Sequence, residues 1–465
     1  MDPKEALQHL QTASRALQQA ALDWRVGAVD APRWADALAE LPPAVARGVD
    51  ALVRGHVQVE PHLAPAVALV AARLRAIWDV APATVEPCRL WGAARALLED
   101  EDGPQLPAAA ALLMALEDTS VDRATTAWKT GRVDLIALCN RGLPEVTGAL
   151  TGRVVETAQQ GAAQDFLRRT QDVYVDALEH AQRRMAGMQQ GPSLLLAART
   201  VDSPVLMEAV PTAAARALAR ALVAALPVAG GALKRLAVKP RALLPGVATV
   251  TPAGEPRVGW HERRGVVAAL ELCELTVTAV LASGMDARLG GTTQLPQTAH
   301  ALVLALMWPG VMGRVLRLPP SDAERLRRHA AFVLLRQARV AAALAVSSPE
   351  VPRAAMDALA QATARDPDVL EAAALMGPWL GTLWEPAPLG VEHQTRFGAW
   401  LAAAGTTLGM RAAFDQDAVV RPAFQHVLWD WVRNPQDAKD LGGVLGPPPV
   451  DPPAALAGLF VELLG

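Results

Sequence analysis

The donors most readily assembled into a metal site are His56, Glu60 and His62, which share one short stretch of chain. Three ligands so placed suit a divalent cation, but such a site also needs a fixed geometry and partners that orient each imidazole. The local sequence supplies neither, so a structural role is expected. Glu5 and His9 stand four residues apart, one turn of a helix, and read as a surface pair. HExxH, EF-hand, CxxC and ExxH patterns are absent from the sequence, so no metal and no cofactor is expected.

Phosphate cradles and nucleophile signatures are also missing. Nothing matches GxxxxGK[ST], GxGxxG or GxSxG, and the Gly/Thr-rich stretch from Gly284 to Thr293 lacks the preceding strand that a phosphate loop requires. Cys273 sits between Glu271 and Glu274, neighbours that would raise a thiol pKa, and it reads as a core residue.

Paired carboxylates near aromatic groups remain. Trp379, Trp384, Glu385, Trp400, Asp415, Asp417, Trp429, Asp430 and Trp431 crowd the C-terminal third and would suit the mouth of an α/α toroid, an enzyme scaffold with a Trp and carboxylate cleft. In Trp429-Asp430-Trp431 the two indoles fall on different helix faces, one expected in the core and one partly exposed.

Charge is sorted along the chain more strongly than its net value of -3 suggests. Between residues 216 and 264, Arg216, Arg220, Lys234, Arg235, Lys239, Arg241, Arg257, Arg263 and Arg264 face only Glu255 and Glu262. Between residues 314 and 339, Arg314, Arg317, Arg325, Arg327, Arg328, Arg336 and Arg339 face only Asp322 and Glu324. On one face these stretches would bind nucleic acid or another polyanion. The acidic balance of the whole chain and the lack of aromatic residues interleaved with the basic ones favour solvated or intramolecular roles.

The elements that must carry these residues are helices. Prolines recur at the starts of apolar-periodic segments, where the missing N–H would have no partner anyway. Such starts fall at Asp2-Pro3, Asp30-Ala31-Pro32, Pro42-Pro43, Glu60-Pro61, Glu86-Pro87, Leu106-Pro107 and Leu143-Pro144. A single long helix is predicted from Ala162 to about Gln190. Ser321-Asp322-Ala323-Glu324 reads as a capping box opening a helix to about Val346. Pro- and Gly-rich residues near 240–262 interrupt the pattern, and 247–260 reads as a small β-hairpin. After the stiff prolines at 447–449, an apolar helix from Ala454 to Leu464 should dock on the body of the protein.

At 465 residues and 52% hydrophobic content the chain can bury a large core, much of it alanine, and its residue bias follows the codons of a GC-rich genome. Cys88, Cys139 and Cys273 allow no disulfide framework, and the N-terminus carries no secretory pattern, so a cytoplasmic location is expected. Val266 to Ser283 is apolar but holds Glu271 and Glu274, which argues for a buried helix and against membrane insertion.

The expected fold is all-α, an irregular array or bundle of about twenty helices with that possible hairpin. The expected division is an N-terminal helical domain (1–230), a basic Gly/Pro-rich connection (231–264) and a C-terminal helical domain (265–465). The leading functional expectation is a non-enzymatic, repeat-like scaffold that meets a protein partner or itself. Polyanion binding through Lys234, Arg235, Lys239, Arg241, Arg263, Arg264, Arg314, Arg317, Arg325, Arg327 and Arg328 is the first alternative, and the toroid enzyme is the second.

Overall fold

The computed structural model describes residues 2–25, 34–59, 157–177, 210–226, 237–238, 247–250, 255–260, 265–284, 294–346, 389–414, 418–433 and 449–465, with isolated helical positions at 67, 71, 74, 75 and 78. The described part is mostly helical.

In chain order the helices are α1 (Pro3–Arg25), α2 (Trp34–Ala39), α3 (Pro43–Val53), α4 (Thr157–Arg169), α5 (Thr212–Val223), α6 (Val266–Gly284), α7 (Gln294–Ala305), α8 (Val311–Leu316), α9 (Pro320–Val346), α10 (Leu389–Ala413), α11 (Pro422–Arg433) and α12 (Pro452–Leu464). A 3-10 turn at Ala418–Val420 precedes α11. Proline opens α1, α3, α9, α11 and α12, in keeping with its tolerance of the first helical position. At α1 the Asp2 carboxylate accepts the Lys4 amide at 3.1 Å, capping a donor that the helix leaves without a partner. Asp451 does the same for the Ala454 amide of α12 at 3.0 Å.

Strands β1 (Ala237–Val238), β2 (Val247–Val250) and β3 (Pro256–Trp260) form a three-stranded sheet in the order β1-β3-β2. β2 runs antiparallel to β3, pairing Val247 with Gly259, and β1 runs parallel to it. The turn at 251–254 lies outside the described residues. β2 packs against α1 and α6, so the strand segment leans on helices from both sides of it in sequence.

α6 is apolar over most of its surface, with Glu271 and Glu274 on one partly exposed stripe. It packs along α5 and α7, and Leu272, Cys273, Val277, Ala279, Val280 and Leu281 are fully buried. By length and composition α6 would also cross a membrane, although Glu271 and Glu274 lie along it. α7 and α9 both lie against α10, and α4 lies along α9.

Three local expectations are corrected. The predicted unbroken helix from Ala162 starts earlier, at Thr157, and is interrupted by a turn at Thr170 before helical residues resume at 171–177. At this turn Arg339 Nη1 donates to Leu167 O at 2.8 Å, the carbonyl that a continuous helix would offer to the amide of Gln171. The Thr170 hydroxyl also donates back to Phe166 O at 2.8 Å.

The capping box at Ser321 is displaced as well. α9 begins at Pro320, and the Glu324 carboxylate turns away from the helix start to receive Arg327 and Arg328. Charge-assisted bonds to two guanidiniums outweigh one bond to a backbone amide.

His9 is no surface partner of Glu5. α1 crosses α3 at Gly48, and a methyl group there would sit 2.4 Å from His9 Nδ1, so the missing side chain is what lets the imidazole lie between the helices. Glu5 remains exposed.

Cys273 occupies the core as expected, but burial alone, with no flanking carboxylate involved, pushes its thiol strongly upward. The thiolate is the reactive species. Iodoacetamide is therefore expected to leave Cys273 unmodified in the native protein and to label it on denaturation. Mass spectrometry resolved by site checks this, and rapid native labelling would contradict it.

Candidate functional site

The most elaborate convergence of polar and aromatic groups among the described residues surrounds α12. Leu456, Leu459, Phe460 and Leu463 are buried along the inward stripe of this helix, which packs on α4, α9 and α10. Each such side chain contributes about 1.5–3 kcal/mol by leaving water. Phe460 closes an aromatic cluster, with ring centroids 6.3 Å from Phe166 and 6.4 Å from Trp400, while Phe166 lies 5.6 Å from Phe397. Three helices, α4, α10 and α12, thereby share one set of rings.

Trp400 continues the cluster inward. His300 of α7 stacks on its indole at 4.1 Å with planes 9° apart, and His300 Nδ1 lies 3.8 Å from Glu274 Oε1 on α6. At that distance the imidazole and carboxylate are neighbours in an electrostatic sense without a direct hydrogen bond. His300 is almost fully buried, and Glu274 reaches toward solvent. Trp400 is thus a core residue and does not line an open cleft.

Polar contacts fasten α12 at both ends. At its start, Asp451 receives Arg169 Nη2 at 3.3 Å, and Arg169 is itself gripped by Asp165 at 2.5 Å. Hydrogen bonds from Arg169 and then Arg168 hold the Asp165 carboxyl below its ordinary range. At its end, Arg327 Nη1 donates to Leu463 O at 3.1 Å and Arg328 Nη2 to Gly465 O at 3.2 Å. The last carbonyls of a helix have no partner within it and carry partial negative charge, so guanidiniums are well suited there. On the flank, Arg411 of α10 meets Glu462 at 2.5 Å.

Glu324 organises the clamp at the end of α12. It accepts Arg327 through Nε at 2.7 Å and Nη2 at 2.6 Å, and Arg328 through Nε at 3.0 Å. The Arg327 bonds, reinforced by Arg328 and opposed by partial burial, hold its carboxyl below the usual glutamate range.

These observations place the second basic stretch. Arg325 pairs with Asp322, Arg327 is nearly buried between Glu324 and α12, and Arg328 bridges Glu324 and Gly465. Arg314 and Arg317 are exposed at α8, and Arg317 takes a left-handed conformation, φ 56°, that ends the helix. Arg339 is 3% exposed, reaching Leu167 O, Thr170 Oγ1 and Gln171 Oε1 at 2.6–2.8 Å, with its guanidinium 4.6 Å above the Tyr174 ring. Lys234, Arg235, Lys239, Arg241, Arg263 and Arg264 lie outside the described residues.

The other sequence candidates separate. Glu60, His62, Trp379, Trp384, Glu385, Asp415 and Asp417 lie outside the described residues, as does the side chain of Trp431. His56 and Asp430 are exposed and Trp429 is buried. Among the described residues no cluster of three or more His, Cys, Asp or Glu side chains could hold a metal ion.

Between α12 and the body lies a crevice of about 90 Å³, lined by Leu304, Trp308, Pro309, Arg327, Thr407, Arg411, Leu459, Glu462 and Leu463. The Thr407 hydroxyl is turned to Ala403 O at 2.7 Å, which leaves the crevice mainly apolar inside. Its polar groups are the two arginines and Glu462. Sequence reading grouped Arg327 with a basic stretch and did not assign Arg411, Thr407 or Glu462. Arg411 and Glu462 become a pair only through the docking of α12, 51 residues along the chain.

A second buried polar joint lies apart from this region. Gln425 of α11, 1% exposed, accepts the Ala225 amide at 2.7 Å and donates to Ala221 O at 2.7 Å and Val419 O at 3.3 Å. Replacing it with methionine would strand the amide of Ala225 and the carbonyl of Ala221. A loss of about 1–3 kcal/mol in urea unfolding is expected, and an unchanged midpoint would show that these groups find other partners.

The chain matches no protein-family model and no curated protein sequence.

Proposed function

We propose that the chain is a non-enzymatic helical scaffold that assembles with itself or with a protein partner. The observation that carries this reading is the state of α12. The helix is held at both ends and along one flank, yet Val461 is 49% exposed on its outward side, in line with exposed Gly458. A fixed helix presenting a small residue and a β-branched one invites a second helix or sheet face at little entropic cost. Val427 of α11, 41% exposed, adds to the apolar outer surface.

The arginines of α9 support the same reading. A polyanion would have to draw Arg325, Arg327 and Arg328 from Asp322, Glu324 and the end of α12. Their positions suit an internal clamp. The scaffold would comprise about twenty helices with a small hairpin near residues 247–260, and would work in the cytoplasm.

Sedimentation of the purified chain over a wide concentration range tests the proposal. Self-association, or a stable complex with a co-purifying protein, is expected, with weakening of at least tenfold in Val461→Asp. A strictly monomeric chain that retains no partner and turns over a substrate would overturn it.

A further inference from the structure

We propose that the crevice beneath α12 binds a short branched aliphatic carboxylate. Its size sets the first limit. An apolar cavity of about 150 Å³ holds a benzene ring, so about 90 Å³ accommodates a smaller group, roughly the carbon skeleton of a valine or leucine side chain. The walls at Trp308, Leu459 and Leu463 suit such a skeleton.

The charged groups select the other end of the ligand. Arg411 directs Nη1 at both oxygens of Glu462, at 2.5 and 2.7 Å. The opposite edge of its guanidinium, Nε and Nη2, is the fork that matches a carboxylate in two parallel hydrogen bonds. Glu324 is already shared between Arg327 and Arg328. Among the residues that line the crevice, the guanidiniums of Arg327 and Arg411 stand against the single carboxylate of Glu462. A carboxylate restores the balance, an ammonium group worsens it, and a neutral alcohol gains no fork.

Ligand-observed NMR with the full chain at pH 7 and low salt tests this, using 3-methylbutanoate as the probe and 3-methylbutanol, 3-methylbutylamine and acetate as controls. Saturable binding of 3-methylbutanoate is expected, at least tenfold tighter than each control. Arg411→Gln, at a half-exposed position, is expected to weaken it at least tenfold. Glu462→Gln frees the whole guanidinium and is expected to tighten it by twofold or more, a gain that damage to the fold would not produce.

Non-saturable binding would overturn the assignment, as would an alcohol or amine that binds as well as the acid. Acetate equal to 3-methylbutanoate would show that the apolar walls are not engaged, and would overturn it too. An Arg411→Gln variant of unchanged affinity would do the same. Each outcome is independent of self-association.

Discussion

Phe460→Ala is expected to lower the stability of the protein by about 3–5 kcal/mol, the cost of emptying a large aromatic site in a packed core. Phe460 is fully buried and touches the rings of Phe166 and Trp400, which belong to α4 and α10. Those helices also meet α12 directly. The alanine variant therefore weakens the hold of two helices on a third, and α12 should loosen before the rest of the structure. Urea unfolding followed by circular dichroism measures the loss. A shift below about 1 kcal/mol would mean that neighbouring side chains collapse into the space.

Arg339→Met is expected to cost about 2–4 kcal/mol, because hydrogen bonds to a charged donor are stronger than neutral ones and a buried acceptor left alone loses its solvation. Methionine keeps most of the side-chain volume but removes the donors to Leu167 O, Thr170 Oγ1 and Gln171 Oε1. The guanidinium also lies over Tyr174, whose ring stacks on Phe332. Without Arg339, the amide of Gln171 can take the Leu167 carbonyl and straighten the helix, which offsets part of the loss. Unfolding in urea gives the magnitude. A change below about 0.5 kcal/mol would show that this straightening compensates almost fully.

The helices were legible because their signals are local. Prolines at Pro3 and Pro43 and the cap at Asp2 act within a few residues of themselves, and α1 and α3 begin where they indicate. The apolar C-terminal helix was expected to dock, and its pattern of buried leucines shows the face by which it does. Buried Cys273 and the mostly apolar α6 followed from composition in the same way.

What could not be read is what long-range contact decides. Arg339 looked like one more charge in a basic stretch, yet its neighbours Ala338 and Ala341 are core residues of α9, and only the approach of α4 supplies its acceptors. The same contact coincides with the turn at Thr170, a residue with no Pro or Gly beside it to signal a break. His9 needed Gly48 opposite, and Arg411 needed Glu462. The aromatic cluster was hidden for another reason. Phe166, Phe397, Trp400 and Phe460 span almost 300 residues of a chain poor in aromatics, and only Phe397 and Trp400, three residues apart, share a local spacing.

Arg327 and Arg328 of α9 fasten the end of α12 to the helical body, and the proposed assembly surface depends on that lock. Hydrogen exchange of the amides at 456–464 in the native protein and in the variant carrying Arg327→Ala and Arg328→Ala tests this most directly. Wild-type α12 is expected to exchange as slowly as the core of α6. In the variant it should exchange at least tenfold faster while α6 stays protected. An α12 whose exchange does not change when the two arginines are removed would contradict this lock.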